Sequence, residues 1–119
     1  NDLIDVKKGG IFPIVQGIRS LALENAITET DTITRIKKLV KLGILEENFA
    51  GAITEAFDTL LSLRLKRRLQ KGDSLDKNHN KVSISSLNEL ELELLKDSLK
   101  IVNKFKKMLM HHFKINMVS

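Results

Sequence analysis

Between Ile4 and Glu24 the chain passes from a short β-prone piece, through its only paired glycines, into the start of a helix, and no other stretch combines these three features. Leu3, Ile4 and Val6 favour a strand, and Lys7-Lys8 stands immediately before Gly9-Gly10. Two adjacent glycines permit positive φ or a close backbone approach, and Pro13 is pre-set for a first helical position. Ile14, Val15, Ile18, Leu21 and Ala22 then recur at helical spacing with Arg19 off that stripe. Two readings of this stretch stand. It is a connector, or it is an anion cradle in which backbone N–H groups at a helix N-terminus act with Lys7, Lys8 and Arg19. Neither a Gly-Lys-Ser/Thr loop nor a Gly-x-Gly-x-x-Gly pattern accompanies it.

The remaining periodicity is helical. A first helix is expected from Pro13 to Ala26, with Gly17 inside it at a cost of about 1 kcal/mol relative to alanine, which a close helix contact would explain. Asp31 is expected to cap a short helix with Ile33, Ile36, Leu39 and Val40 inward, ended by Gly43. A third helix is expected from Glu46 to Gln70, with Phe49, Ile53, Phe57, Leu61, Leu65 and Leu69 stepping by four and Ala56 and Leu60 widening the face. On that wheel Arg64 and Arg68 border the apolar stripe, either bonded to carboxylates and loop carbonyls or presented to a ligand.

Lys71 to Lys81, with His79, reads as a polar surface loop. A last helix is expected to open on a capping box, Ser86-Leu87-Asn88-Glu89, and to reach His112 or Phe113. Its core face would be Leu87, Leu90, Leu94, Leu95, Val102, Phe105 and Leu109. These elements predict an all-α, antiparallel bundle of about four helices with a short extended N-terminal segment. The division expected is a single helical domain over residues 1–119, with 1–12 as extended junction and Gly-Gly turn and 13–119 as bundle, cut from a larger protein.

Composition narrows the function. The chain has no cysteine, so disulfides and thiolate metal sites are excluded. No apolar run approaches the roughly 20 residues of a bilayer span, and no secretory signal is present, so the expectation is a cytoplasmic protein without membrane partners. Twenty Lys and Arg against 15 Asp and Glu leave a net charge of +5, which permits an acidic partner. From Ser98 onward no residue is acidic while Lys100, Lys104, Lys106, Lys107 and Lys114 are basic, a segregation that also complements the dipole of the last helix. Without Trp, Tyr or a helix-turn-helix register, nucleic-acid recognition is not expected.

No catalytic constellation is legible. His111 and His112 are adjacent, so a helix points them about 100° apart and they do not imitate a zinc pair. Glu29-Thr30-Asp31 and Glu89-Leu90-Glu91 have the spacing of Mg²⁺-holding carboxylates, but no Gly-Ser turn precedes either. The catalytic and metal sites expected in this chain are therefore none.

Five motifs in order carry a family resemblance: Ile4-Asp-Val-Lys-Lys-Gly-Gly-Ile-Phe-Pro-Ile-Val, Gly17-Ile-Arg-Ser-Leu-Ala-Leu, Thr32-Ile-Thr-Arg-Ile, Ala56-Phe with Leu63-Arg-Leu, and Leu94-Leu-Lys-Asp-Ser-Leu. They resemble the putative nucleotidyltransferase substrate-binding domain that closes bacterial signalling proteins carrying a cyclic-nucleotide-binding-like region, a CBS pair and a nucleotidyltransferase domain. The opening is also similar to the Asp-x-Lys…Gly-Gly segment of glutamine synthetase adenylyltransferases and of the uridylyltransferases of nitrogen signalling.

The resemblance implies a substrate-binding module beside an upstream catalytic domain of the same polypeptide, with nucleoside triphosphate and Mg²⁺ engaged by that domain and a protein acceptor as a further partner. It assigns Asp5, Lys7, Gly9 and Gly10 to the junction facing the active cleft, and Arg19 and Arg64 to the family's basic positions. The chain departs from the family at Arg67-Arg68, where relatives often carry His-Gln, and at Ser85, where a proline is expected. The rival reading is a signalling or oligomerisation bundle that forms a homodimer or docks a partner protein.

Overall fold

The computed structural model describes residues 2–70 and 80–118, with side chains through residue 114. The element order is β1 (Leu3–Asp5), α1 (Phe12–Glu24), α2 (Thr32–Lys41), α3 (Glu47–Gln70), β2 (Lys81–Ser83) and α4 (Glu89–Val118). The result is an all-α bundle with one small ribbon, 47 × 25 × 25 Å in extent. The segment from Lys71 onward that was expected to be a surface loop lies outside the described residues up to position 79.

The first correction concerns the Gly-Gly segment. The extended part is only Leu3–Asp5, and Lys7–Ile11 is a π-helical turn that runs without a break into α1. Gly9 and Gly10 therefore form no positive-φ turn, and among the described residues only Gly43 and Ala26 have φ in that region. The wide turn, in which the Phe12 N–H donates to the Lys7 carbonyl, meets a chemical demand of Pro13, which has no N–H to give to the preceding turn. Asp5 caps the entry, its Oδ1 accepting the Lys8 N–H at 2.9 Å.

Helix ends are decided by local chemistry. The Asp31 carboxylate accepts the Thr34 N–H at 2.9 Å and its hydroxyl at 2.8 Å, which starts α2 as expected. α2 stops in a Schellman motif, with Gly43 at φ +76° and the Ile44 N–H donating to the Leu39 carbonyl at 2.9 Å. α1 stops in the same motif, but its left-handed residue is Ala26 at φ +57°, with the Ile27 N–H donating to the Ala22 carbonyl at 2.9 Å.

For α4 the expected capping box is displaced by two residues. Asn88 Oδ1 accepts the Glu91 N–H at 2.8 Å and Glu91 Oε1 accepts the Asn88 N–H at 3.0 Å. Ser86, the expected cap, is spent on a 3₁₀ turn over Ile84–Ser86, where its hydroxyl donates to the Ser83 carbonyl.

The core is built from all four helices, with Ile14, Ile18, Leu21, Leu39, Ile53, Leu60, Leu95, Val102 and Phe105 among its buried members. α3 and α4 run antiparallel, as Lys66 pairs with Glu91 at one end and Phe49 meets Phe105 edge-on at the other. Gly17 lets α4 close on α1, since a Cβ there would lie 2.5 Å from Leu109 Cδ1 and 2.6 Å from Phe105 Cε2. Gly10 admits Leu60 of α3 in the same way, at 2.5 Å.

The expected stripe of α3 is corrected over its second half. Leu61, Leu65 and Leu69 are exposed, and the buried face runs Ile53, Ala56, Phe57, Leu60, Leu63. Stepping by four advances 400°, so five such steps from Phe49 wind about 200° round the helix, whereas alternating steps of three and four hold one face. On α4 Leu90 and Leu94 are exposed while Leu95 and Val102 are buried, Leu90 lying about 120° round the helix from Val102.

β2, unforeseen, pairs antiparallel with β1 in the register Leu3 with Ser83, Ile4 with Val82 and Asp5 with Lys81. The Ile84 N–H extends the ladder to the Asp2 carbonyl at 2.9 Å.

Candidate functional site

The continuous helix from the π turn through α1 has an outer face that nothing in the described chain covers. Phe12 is 52% and Leu23 58% exposed, and Lys7, Lys8 and Arg19 are exposed with them. Their common orientation depends on the π turn. Seven residues before Ile14, an uninterrupted α-helix would turn Lys7 inward. The wide turn absorbs an extra residue, so Val6 and Gly10 are the buried positions and Lys7 points out. Lys7 and Arg19 remain about 18 Å apart along the axis, twelve residues at about 1.5 Å each.

Arg64 does not join them. It lies one turn beyond Leu60, which packs on the inner side of the helix at Gly10, and its Nε donates to Asn80 Oδ1 at 2.7 Å. Asp5 pairs with Lys81, next to Asn80, so the Arg64 bond ties α3 to the β ribbon, while Gly10 packs on Leu60 one turn away. Gly9 is half-buried with no atom within 4 Å of its Cβ position.

Of the other arginines, Arg68 is exposed, whereas Arg67 sits on the drifted inner face with a buried Nε that has no hydrogen-bond partner among the described residues. Arg35, in the Thr32-Ile-Thr-Arg-Ile motif, is buried, and its Nε donates to the Glu29 carbonyl at 2.7 Å, fastening the α1–α2 loop to α2.

A well-formed concavity lies elsewhere, a groove of about 910 Å³ between the α1–α2 loop, α2 and the start of α3. Ile27, Ile36, Val40 and Ala50 give it an apolar floor, and Lys37 and Lys41 stand on its α2 rim. Within its lining Lys38 pairs with Glu29 at 2.7 Å, and that lysine holds the Glu29 carboxyl below its usual range. The only advance signals were Lys37-Lys38 and the apolar period of α2, because the walls come from three segments.

No described cluster of His, Asp and Glu is arranged to hold a metal ion, and no described helix is long and apolar enough to cross a membrane.

The described residues form an all-helical bundle with a cationic, partly apolar outer helix face. The chain belongs to the family described as "Putative nucleotidyltransferase substrate binding domain", which matches residues 1–113. No curated protein and no solved structure matches it.

Proposed function

We propose that this domain is one wall of a composite cleft, with the outer face of α1 turned toward a linked nucleotidyltransferase domain. Lys7 and Arg19 face the phosphates of a nucleoside triphosphate or the charge of an acidic acceptor, while Mg²⁺ is held by carboxylates of the catalytic domain. The reading is supported above all by one observation: Phe12 and Leu23, both large and apolar, flank exposed cations on a single uncovered helix face. Apolar exposure of this kind favours burial against another protein surface, and Arg19 between the two apolar residues, with Lys7 and Lys8 beyond Phe12, suits an anion at the seam. Asp5, Gly10 and Arg64 serve as the brace that fixes the helix entry, and Gly9 leaves the backbone open at that entry.

Nucleotides titrated with Mg²⁺ into the linked two-domain polypeptide test this. Lys7→Ala with Arg19→Ala is expected to weaken nucleotide affinity or transfer rate by about a hundredfold or more, the two charged contacts being worth about 3–6 kcal/mol together. Phe12→Ser with Leu23→Ser is expected to loosen the domain pair. Unchanged affinity and rate in the first double variant would remove these roles.

A rival reading has its own observation. Where Lys66 pairs with Glu91, Leu65, Leu69, Leu90 and Leu94 are all exposed, an apolar surface suited to a partner protein or a second copy. Sedimentation separates the two readings, because a tight dimer abolished by Leu69→Glu and Leu90→Glu would favour the docking bundle.

A further inference from the structure

Three glycines have a visible reason in the fold: Gly10 and Gly17 admit neighbouring side chains, and Gly43 adopts positive φ. Gly51 has none. It occupies the fifth position of α3, where glycine costs about 1 kcal/mol relative to alanine, and nothing lies within 4 Å of its Cβ position. What borders that empty position is the 910 Å³ groove, which Gly51 lines together with Ala50 and Thr54.

Across from this small-residue wall stand Lys37 and Lys41, one helical turn and therefore about 6 Å apart. Neither makes an ion pair among the described residues, and Asp31, which Lys37 influences through space, is committed to the α2 cap. Thr28 also lines the groove, whereas Thr34 and Thr54 donate their hydroxyls to Asp31 and to the Ala50 carbonyl, and Glu47 places a carboxylate at the start of α3. Lysines in the last turn of α2 also complement its dipole, but that role gives no account of Gly51.

We propose that the α2–α3 groove is a binding site for an organic phosphate with a flat, largely apolar body, separate from the outer face of α1. The body lies on Ile27, Ile36, Val40 and Ala50, passing over Gly51 where a side chain would obstruct it. Lys37 and Lys41 take adjacent phosphoryl groups. The volume is at the upper end of ordinary small-ligand sites. The choice of probe rests on the reading of the domain as a substrate binder; the groove itself does not.

The test is calorimetric titration of the full chain with ATP in the absence of metal, with adenosine and inorganic tripolyphosphate as separate arms. ATP is expected to saturate and to bind more tightly than either fragment. Gly51→Leu, on an exposed helix position that leucine suits, is expected to weaken ATP at least tenfold without lowering Tm, and Lys37→Ala with Lys41→Ala to do the same. Tripolyphosphate binding as tightly as ATP would reveal only a diffuse cationic surface and overturn the proposal, as would ATP affinity unchanged by Gly51→Leu or no ATP binding at all. Loss of binding in Lys7→Ala with Arg19→Ala but not in Gly51→Leu would place the ligand on the α1 face, overturning the groove and leaving the composite cleft standing.

Discussion

Replacing Gly17 by alanine sets two effects of known size against each other. A mid-helix alanine gains about 1 kcal/mol over glycine in propensity. The new Cβ, however, would meet Leu109 Cδ1 at 2.5 Å and the Phe105 ring at 2.6 and 2.9 Å, where relaxed carbon contacts need about 3.5–4.0 Å. Leu109 is half-buried and its terminal methyl can swing away. Phe105 cannot, being fully buried and set edge-on against Phe49 at 6.4 Å. α1 and α4 must therefore part by about 1 Å, an overpacking cost of about 1–3 kcal/mol.

Gly51→Ala supplies the reference, for it takes the same propensity gain with no atom nearby. Urea unfolding of the two variants, with m held common, is expected to place Gly17→Ala about 1–3 kcal/mol below Gly51→Ala, and Gly51→Ala above the parent. In Tm the gap is about 4 °C per kcal/mol for a chain of this size. Equal midpoints for the two alanine variants would refute the claim that Gly17 sets the α1–α4 spacing.

Other expectations follow from the helix ends and the surface carboxylates. Ala26→Gly relieves a left-handed alanine and is expected to stabilise the fold by about 1 kcal/mol, read as a rise in urea midpoint. Asn88→Ala removes one half of the reciprocal cap and is expected to cost about 1 kcal/mol, whereas Ser86→Ala, outside that cap, is expected to cost less. Glu91 is held below its ordinary value of 4.5 by the Lys66 hydrogen bond and then by the Asn88 N–H, and Asp31 is held below 3.8 by the Thr34 N–H and hydroxyl. Because their folded values are depressed, their contribution is complete above about pH 4.5 and fades as pH falls through the folded values. Midpoints measured from pH 7 to pH 3 are expected to fall on the acid side, and Glu91→Gln to flatten that fall.

What the residues disclosed in advance was whatever depends on neighbours in sequence. Asp31 and Gly43 mark the ends of α2 as expected, and the close contact invoked for Gly17 is present, because a cap or a missing Cβ speaks through local geometry. The π turn escaped, since its wide hydrogen bond answers both Pro13 and the packing of Gly10 on Leu60 from another helix. Two overlapping boxes, Ser86 with Glu89 and Asn88 with Glu91, are equal on paper, and the 3₁₀ turn before them decides for the second. A three-residue strand such as Lys81–Ser83 carries too little alternation to announce itself without its partner 80 residues away.

For the site, the exposed cations Lys7 and Arg19 were nameable, but their shared face, the separation of Arg64 and the groove at Gly51 all depend on how α1, α2 and α3 are placed in space.

The ribbon joining β1 to β2 also has a mechanical meaning. A pull or twist on Asp2 does not travel down α1 alone; through the ladder and the Asp2 contacts to Ser83 and Ser85 it reaches the root of α4. That helix has 30 residues, about 45 Å as a rod, so a tilt of about 5° at its base would swing the distant tip by about 4 Å. A movement too slight to notice at one end of the molecule thus becomes, at the other, a displacement as wide as a side chain.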